Sequence, residues 1–153
     1  MLAWVLCVAM LIAFSQAEAW RGIKPLQSSR EDVERLLGSP TGECKCLYEG
    51  PKVNVQVQYS TGPCKTGASP GWNVPAGTVI SATVYLKERP LMSDLKVDWE
   101  KYKKREDPEL PLIFYYSNPE EGITIAVDGN RVMEYQIGPT LKDGNMRCNN
   151  PPG

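Results

Sequence analysis

Histidine is absent from this chain. That one absence excludes the Ser-His-Asp and Cys-His nucleophile systems and the His-bearing zinc sites. Charge of either sign is not in surplus, with 17 Lys and Arg against 18 Asp and Glu. A nucleic-acid binder carries a basic excess or stripe, so nucleic acid is excluded as a partner, and general attraction to anionic lipid goes with it. No acidic spacing matches a calcium loop and no glycine motif cradles phosphate. No apolar run reaches the roughly 20 residues that a stable membrane span needs.

A shorter apolar run is present. Leu2 to Phe14 is almost unbroken, Ser15-Gln16 interrupts it, and Ala17-Glu18-Ala19 offers the small-x-small pattern that a signal peptidase reads. Residues 1–19 are therefore expected to be a signal peptide, although no Lys or Arg precedes the run. Cleavage after Ala19 leaves 134 of the 153 residues, enough for one domain with a proper core. It also removes Cys7 and Glu18, so the remaining charge sums to zero. The product is expected to be exported, periplasmic or extracellular, with no stable membrane anchor. Residues 149–153 are expected to be a disordered tail.

Four cysteines remain, namely Cys44, Cys46, Cys64 and Cys148. An even number in an oxidising compartment predicts two disulfides, with three possible connectivities. Zinc sites favour two to four residues between paired cysteines, and Cys44-Lys45-Cys46 has one, so neither metal nor other cofactor is expected. Placed on a strand, residues 44 and 46 share a face. That placement suits a bond from each to a separate partner better than a bond to each other. A bond from Cys148 to Cys64, or to either member of the 44/46 pair, would tie the C-terminus to the first half.

The fold class expected is α+β, short helices packed on an antiparallel sheet. Ser29 is a good N-cap, Val33, Leu36 and Leu37 form an apolar stripe, and Gly38 with Pro40 stops the helix. Strand-like runs follow at Cys44–Tyr48, Val53–Tyr59 and Thr78–Leu86, the second alternating strictly. Between the last two lies Ser60–Gly77, long for a loop and a candidate contact surface, carrying Trp72, Asn73 and Val74. A second helix is expected over Ser93–Arg105 from Leu95, Trp99 and Tyr102 at i, i+4, i+7. Three more runs follow at Leu112–Ser117, Gly122–Val127 and Arg131–Ile137, with Asp128-Gly129 as a hairpin signal. The halves echo one another: Tyr48-Glu-Gly-Pro51 with Tyr116-Ser-Asn-Pro119, and Val53, Val55, Val57 with Ile123, Ile125, Val127. Residues 20–148 are thus expected to form one domain, with 20–90 and 91–148 as possible helix–strand–strand–strand units.

The stretch Ile23-Lys-Pro-Leu-Gln-Ser-Ser29-Arg-Glu-Asp-Val33-Glu-Arg-Leu-Leu37-Gly-Ser-Pro40 resembles the start of the SmpA/OmlA (BamE-like) domain. That family begins with a capped helix ending in Leu-Leu-Gly-x-Pro, followed by antiparallel strands often carrying an Asp-Gly turn, as at Asp128-Gly129. The same unit occurs in tandem in β-lactamase-inhibitor-like proteins, which implies a two-unit arrangement. The chain also resembles small exported bacterial proteins with the same Gly-Pro-Cys and Gly-Trp-Asn-Val-Pro stretches. Outer-membrane assembly members carry a lipid-bearing Cys directly after the signal, whereas Trp20 stands there in this chain.

No catalytic set emerges. A glycosidase needs two carboxyls facing across a cleft, and Glu120-Glu121 in Pro119-Glu-Glu-Gly122 reads as a solvated turn, with Asp128 and Glu134 further along. Lys101-Tyr-Lys-Lys-Arg105 is flanked by Glu100, Glu106 and Asp107, as on a self-neutralised helix face. Trp72 would anchor a partner if exposed and plug the sheet if buried. The expected function is that of an exported, soluble, non-enzymatic binding protein with an unidentified protein partner. Its contact would be the 60–77 loop or an open sheet face. The alternative is a cell-envelope assembly or structural accessory, with an acid-dependent hydrolase as a distant third.

Overall fold

The computed structural model describes residues 20–64 and 71–148. The expected signal peptide, loop residues 65–70 and the expected tail lie outside the described residues. Seven strands, β1 (Leu47–Glu49), β2 (Val53–Tyr59), β3 (Val79–Leu86), β4 (Lys103–Glu106), β5 (Ile113–Asn118), β6 (Ile123–Asp128) and β7 (Arg131–Ile137), form one sheet. Their order is β1-β2-β3-β7-β6-β5-β4, and each pairing is antiparallel. Two meanders therefore meet along their last strands, β3 against β7.

This corrects the α+β expectation. Among the described residues only α1 (Arg30–Leu37) is an α-helix, and the fold is a single antiparallel sheet rather than helices packed on one. The capping box accounts for α1. Asp32 N–H donates to Ser29 Oγ at 3.2 Å, and Ser29 N–H donates to Asp32 Oδ2 at 2.9 Å. The Ser29 backbone hydrogen bond, helped by its hydroxyl, holds the Asp32 carboxyl below its usual range. Gly38, at φ 87°, ends the helix by donating to the Glu34 carbonyl. Val33 is fully buried, whereas Leu36 of the expected stripe is 48% exposed. Two turns of helix lying on one flank of the sheet bury little more than one position. The segment before α1 is fixed to β3, Leu26 N–H donating to the Val79 carbonyl and Val79 N–H to that of Ser28.

The expected second helix is replaced by a strap. Residues Met92–Asp94 and Trp99–Lys101 each make a 3-10 turn, and the chain then enters β4. Leu95 and Trp99 satisfy both a helical period and a period of two, and Val97 decides between them. Leu95, Val97 and Trp99 are partly buried against the core, while Lys96 and Asp98 between them are exposed. An extended strap lays alternate side chains on the sheet, and this one also brings Met92 and Tyr102 to it. Trp99 meets Tyr116 edge-on at 5.1 Å. The basic cluster consequently lies on the outer strand. All four residues of β4, Lys-Lys-Arg-Glu, are exposed, and a charged edge resists pairing with another chain.

Register carries the core across both meanders. Val55, Val84, Tyr135, Ile125 and Tyr116 are successive cross-strand neighbours, and so are Val57, Ala82, Ile137 and Ile123. Ile23, Val33, Tyr48, Val79, Val127 and Val132 belong to the same buried cluster. The matched valines and isoleucines of the two halves thus share one core, although the second half has a strap where the first has a helix. Gly122, at φ 66°, allows β6 to begin close to the end of β7. A Cβ there would stand 2.2 Å from the Gly138 carbonyl oxygen.

Candidate functional site

Strand alternation puts a different chemistry on the opposite face. Gln56, Thr83, Gln136, Thr124 and Ser117 are cross-strand neighbours in one row, uncharged until Lys103 on the edge strand. The next row is Asn54, Tyr85, Glu134, Ala126, Tyr115 and Arg105. Gln56, Gln58, Tyr85 and Gln136 are exposed, so among the described residues no second layer closes this side. Two shallow depressions share Ser81 and Gln136. One of about 350 Å³ is lined by Cys46, Gln56, Val57, Gln58, Ser81, Thr83 and Gln136. The other, about 250 Å³, runs on past Ser117, Thr124, Gly138 and Pro139.

The face is pre-ordered by its own hydrogen bonds. Ser81 Oγ donates to Gln58 Oε1 at 3.2 Å, and the Tyr85 hydroxyl to Gln56 Oε1 at 3.1 Å. Ser117 and Thr124 join their hydroxyls at 3.0 Å. Asn54 Oδ1 is covered and accepts no hydrogen bond from the described residues. Glu134 stands on this face, and burial pushes its carboxyl above the usual range. Tyr85 is also raised, by burial first and by Glu134 second. Neutral amides and hydroxyls in a shallow groove offer donors and acceptors to a polar, uncharged ligand surface. They offer no nucleophile and no facing pair of acids. Asp128 pairs with Arg89 at 3.4 Å, and Glu120 and Glu121 sit in the turn after β5.

The cysteines pair as Cys44–Cys46 and Cys64–Cys148. The second bond ties the C-terminal segment to the first half, one of the options left open by sequence. The first corrects the expectation that 44 and 46 would seek separate partners. That expectation placed them on a strand, but β1 starts only at Leu47, and residues 42–45 form a turn. Lys45 takes a left-handed backbone, φ 48°, which folds the chain back on itself. Arg30 holds the turn by donating to the Lys45 carbonyl at 2.5 Å while its guanidinium lies 4.1 Å over the Tyr59 ring. Tyr59 shares a 2.7 Å hydrogen bond with Tyr48, and its phenol is raised by burial first and by Tyr48 second. Two disulfides suit an oxidising, exported setting. Among the described residues no helix is long and apolar enough to cross a membrane.

The two bonds differ in what they stabilise. With sequence separations of 84 and 2, chain entropy assigns about 4.5 kcal/mol to Cys64–Cys148 and about 1.5 kcal/mol to Cys44–Cys46. A left-handed non-glycine residue costs about 1–2 kcal/mol, which offsets the smaller figure. The short bond therefore adds almost nothing to the stability of the fold.

The loop residues singled out by sequence do not act as one unit. Trp72 is half-buried, bridges to Arg147 and carries its guanidinium 5.1 Å over the ring. Asn73 is exposed, and its N–H donates to the Met146 carbonyl. Val74 is buried, with Ser60 Oγ donating to its carbonyl at 3.4 Å. The open-face amides and hydroxyls were legible only as the polar half of an alternating pattern. Comparison with family models, with curated proteins and with solved structures gives no match for this chain.

Proposed function

We propose that this chain is an exported binding protein that works in the periplasm or outside the cell and grips a partner protein on the open face of its sheet. The observation that carries the reading is the uncharged row Gln56–Thr83–Gln136–Thr124–Ser117, its two glutamines exposed and its three hydroxyl residues half-buried along two adjoining depressions. A solvated sheet face needs no such row, because scattered Lys and Glu keep it wet at lower desolvation cost. Charge-depleted, hydrogen-bonding surface is instead what a buried contact requires, and the ordered amides lose little side-chain entropy on binding.

The edges favour the face as the docking side. β1 has three residues and β4 is wholly charged, so strand addition at either edge is disfavoured. The test is crosslinking and capture from the native exported fraction with wild type, Gln136→Lys and Trp72→Ala in parallel. Gln136→Lys plants an unpaired charge at the centre of the groove, and it should lower capture at least about tenfold. Trp72→Ala should leave capture intact. Equal capture by wild type and Gln136→Lys would reject the face, and loss confined to Trp72→Ala would move the contact to the loop.

A further inference from the structure

We propose that the Cys44–Cys46 bond is a thiol–disulfide exchange site that captures a cysteine-bearing polypeptide held on the neighbouring sheet face. Four observations support it. The bond encloses one residue and joins no two elements, so although Arg30 and the Val57 N–H steady the backbone of its turn, opening it separates no distant parts of the fold. Cys44 is exposed while Cys46 is half-buried, so one sulfur is the open point of attack. Cys46 lines the larger depression with Gln56, Gln58, Ser81 and Thr83. And Cys46 N–H donates to Cys44 Sγ at 3.2 Å, a contact that strengthens when that sulfur becomes a thiolate.

Exported thiols are normally closed, which is why sequence alone suggested no cysteine chemistry. In exchange, however, the closed bond is itself the reactant, and an exposed bond that closes no long loop is the labile kind. A thiolate of the partner attacks Cys44 Sγ. The Cys44–Cys46 bond breaks, Cys46 leaves as a thiolate and takes a proton from water. A partner–Cys44 mixed disulfide remains. If the partner carries a second thiolate, it attacks its own sulfur in that mixed disulfide and expels Cys44 as a thiolate beside the Cys46 N–H. The partner then holds a new disulfide and this chain holds two thiols, so two electrons have passed to this chain.

The Cys64–Cys148 bond is the internal control. Cys64 is exposed as well, but the fold holds the two ends together. Trp72 bridges Arg147, and Cys148 N–H donates to the Gly71 carbonyl at 2.8 Å. Those contacts keep the sulfurs adjacent after reduction and so drive the bond closed again.

The proposal rests on the open-face reading only for where the partner lies. The oxidised chain is equilibrated in reduced and oxidised glutathione, quenched in acid, alkylated and mapped by peptide mass spectrometry. Cys44 and Cys46 should open together at a reduced-glutathione level about tenfold or more below that which opens Cys64–Cys148. Simultaneous opening, or opening of the short pair last, overturns the proposal. Next, Cys46→Ser and Cys44→Ser are each offered a cysteine peptide activated as its thionitrobenzoate disulfide. Cys46→Ser, which frees Cys44, should capture the peptide about tenfold faster, and equal rates overturn Cys44 as the entry sulfur. Glutathione needs no binding face, so opening of the short pair is read on the wild-type chain, apart from any capture of a partner. If the pair stays closed while Gln136→Lys still abolishes capture of the native partner, the exchange proposal falls and the binding reading stands.

Discussion

Removing each disulfide in turn measures what the fold draws from it. In Cys64→Ser/Cys148→Ser the unfolded chain regains the freedom of a loop whose ends lie 84 residues apart, worth about 4.5 kcal/mol. In Cys44→Ser/Cys46→Ser the regained freedom is worth about 1.5 kcal/mol. Release of Lys45 from its left-handed backbone returns about 1 kcal/mol of that. The expected losses are thus about 4.5 and below about 1 kcal/mol. Urea unfolding without reductant, followed by circular dichroism, reads the difference directly. With a slope near about 1.5 kcal/mol/M, the long-loop variant should lose about 3 M from its midpoint and the short-loop variant less than about 0.7 M. Equal shifts, or a larger one for the 44/46 variant, would falsify the claim that the short bond does nothing for the fold.

Gly122→Ala should cost about 3 kcal/mol or more, because it adds a clash with the Gly138 carbonyl to an unfavourable φ; chemical denaturation checks it, and a loss under about 1 kcal/mol would mean that β6 and β7 can part cheaply. Ser29→Ala removes the helix cap and should lower stability by about 1 kcal/mol in the same assay, while Ser29→Asp should restore most of it. Glu134 titrates above its ordinary range in the folded chain, so the unfolded chain gives up that proton first and stability falls as pH rises from the ordinary glutamate value to the raised one. Glu134→Gln should therefore be neutral below that window and stabilising above it, and a pH series of denaturation midpoints in which the two chains keep a constant difference would refute the burial argument.

Local signals that act within a few residues were readable in advance. Ser29, Asp32 and Gly38 frame α1 because a cap bonds three residues away and a left-handed stop needs only its own φ. Val53–Tyr59 was legible in full from its alternation, and Arg131–Ile137 as a strand-like run after the Asp128-Gly129 turn. The strap was not, because Leu95 and Trp99 satisfy two periods at once and only contact with the sheet separates them. The cysteine pairing was misread for a related reason: the period of a strand was extended back through residues 42–45, where Lys45 breaks it. The open face was half legible. Its polar positions show in any alternating strand, but that Gln56, Gln136 and Ser117 stand in one row depends on a strand order joining the ends of two distant meanders.

That strand order also governs how the chain can be completed. The seam of the sheet pairs Ala82–Tyr85 with Glu134–Ile137, so neither half can close it alone. A chain that leaves its ribosome or its membrane channel N-terminus first has β1, β2 and β3 available long before β7. Through that interval β3, whose Val79, Ala82 and Val84 become fully buried, is a bare hydrophobic edge. The last strand to emerge is thus the one that hides the stickiest surface, and Cys148, eleven residues beyond Ile137, can reach Cys64 only afterwards. Slow release of the C-terminus, more than any loss in the finished fold, is the moment at which this protein is most open to aggregation.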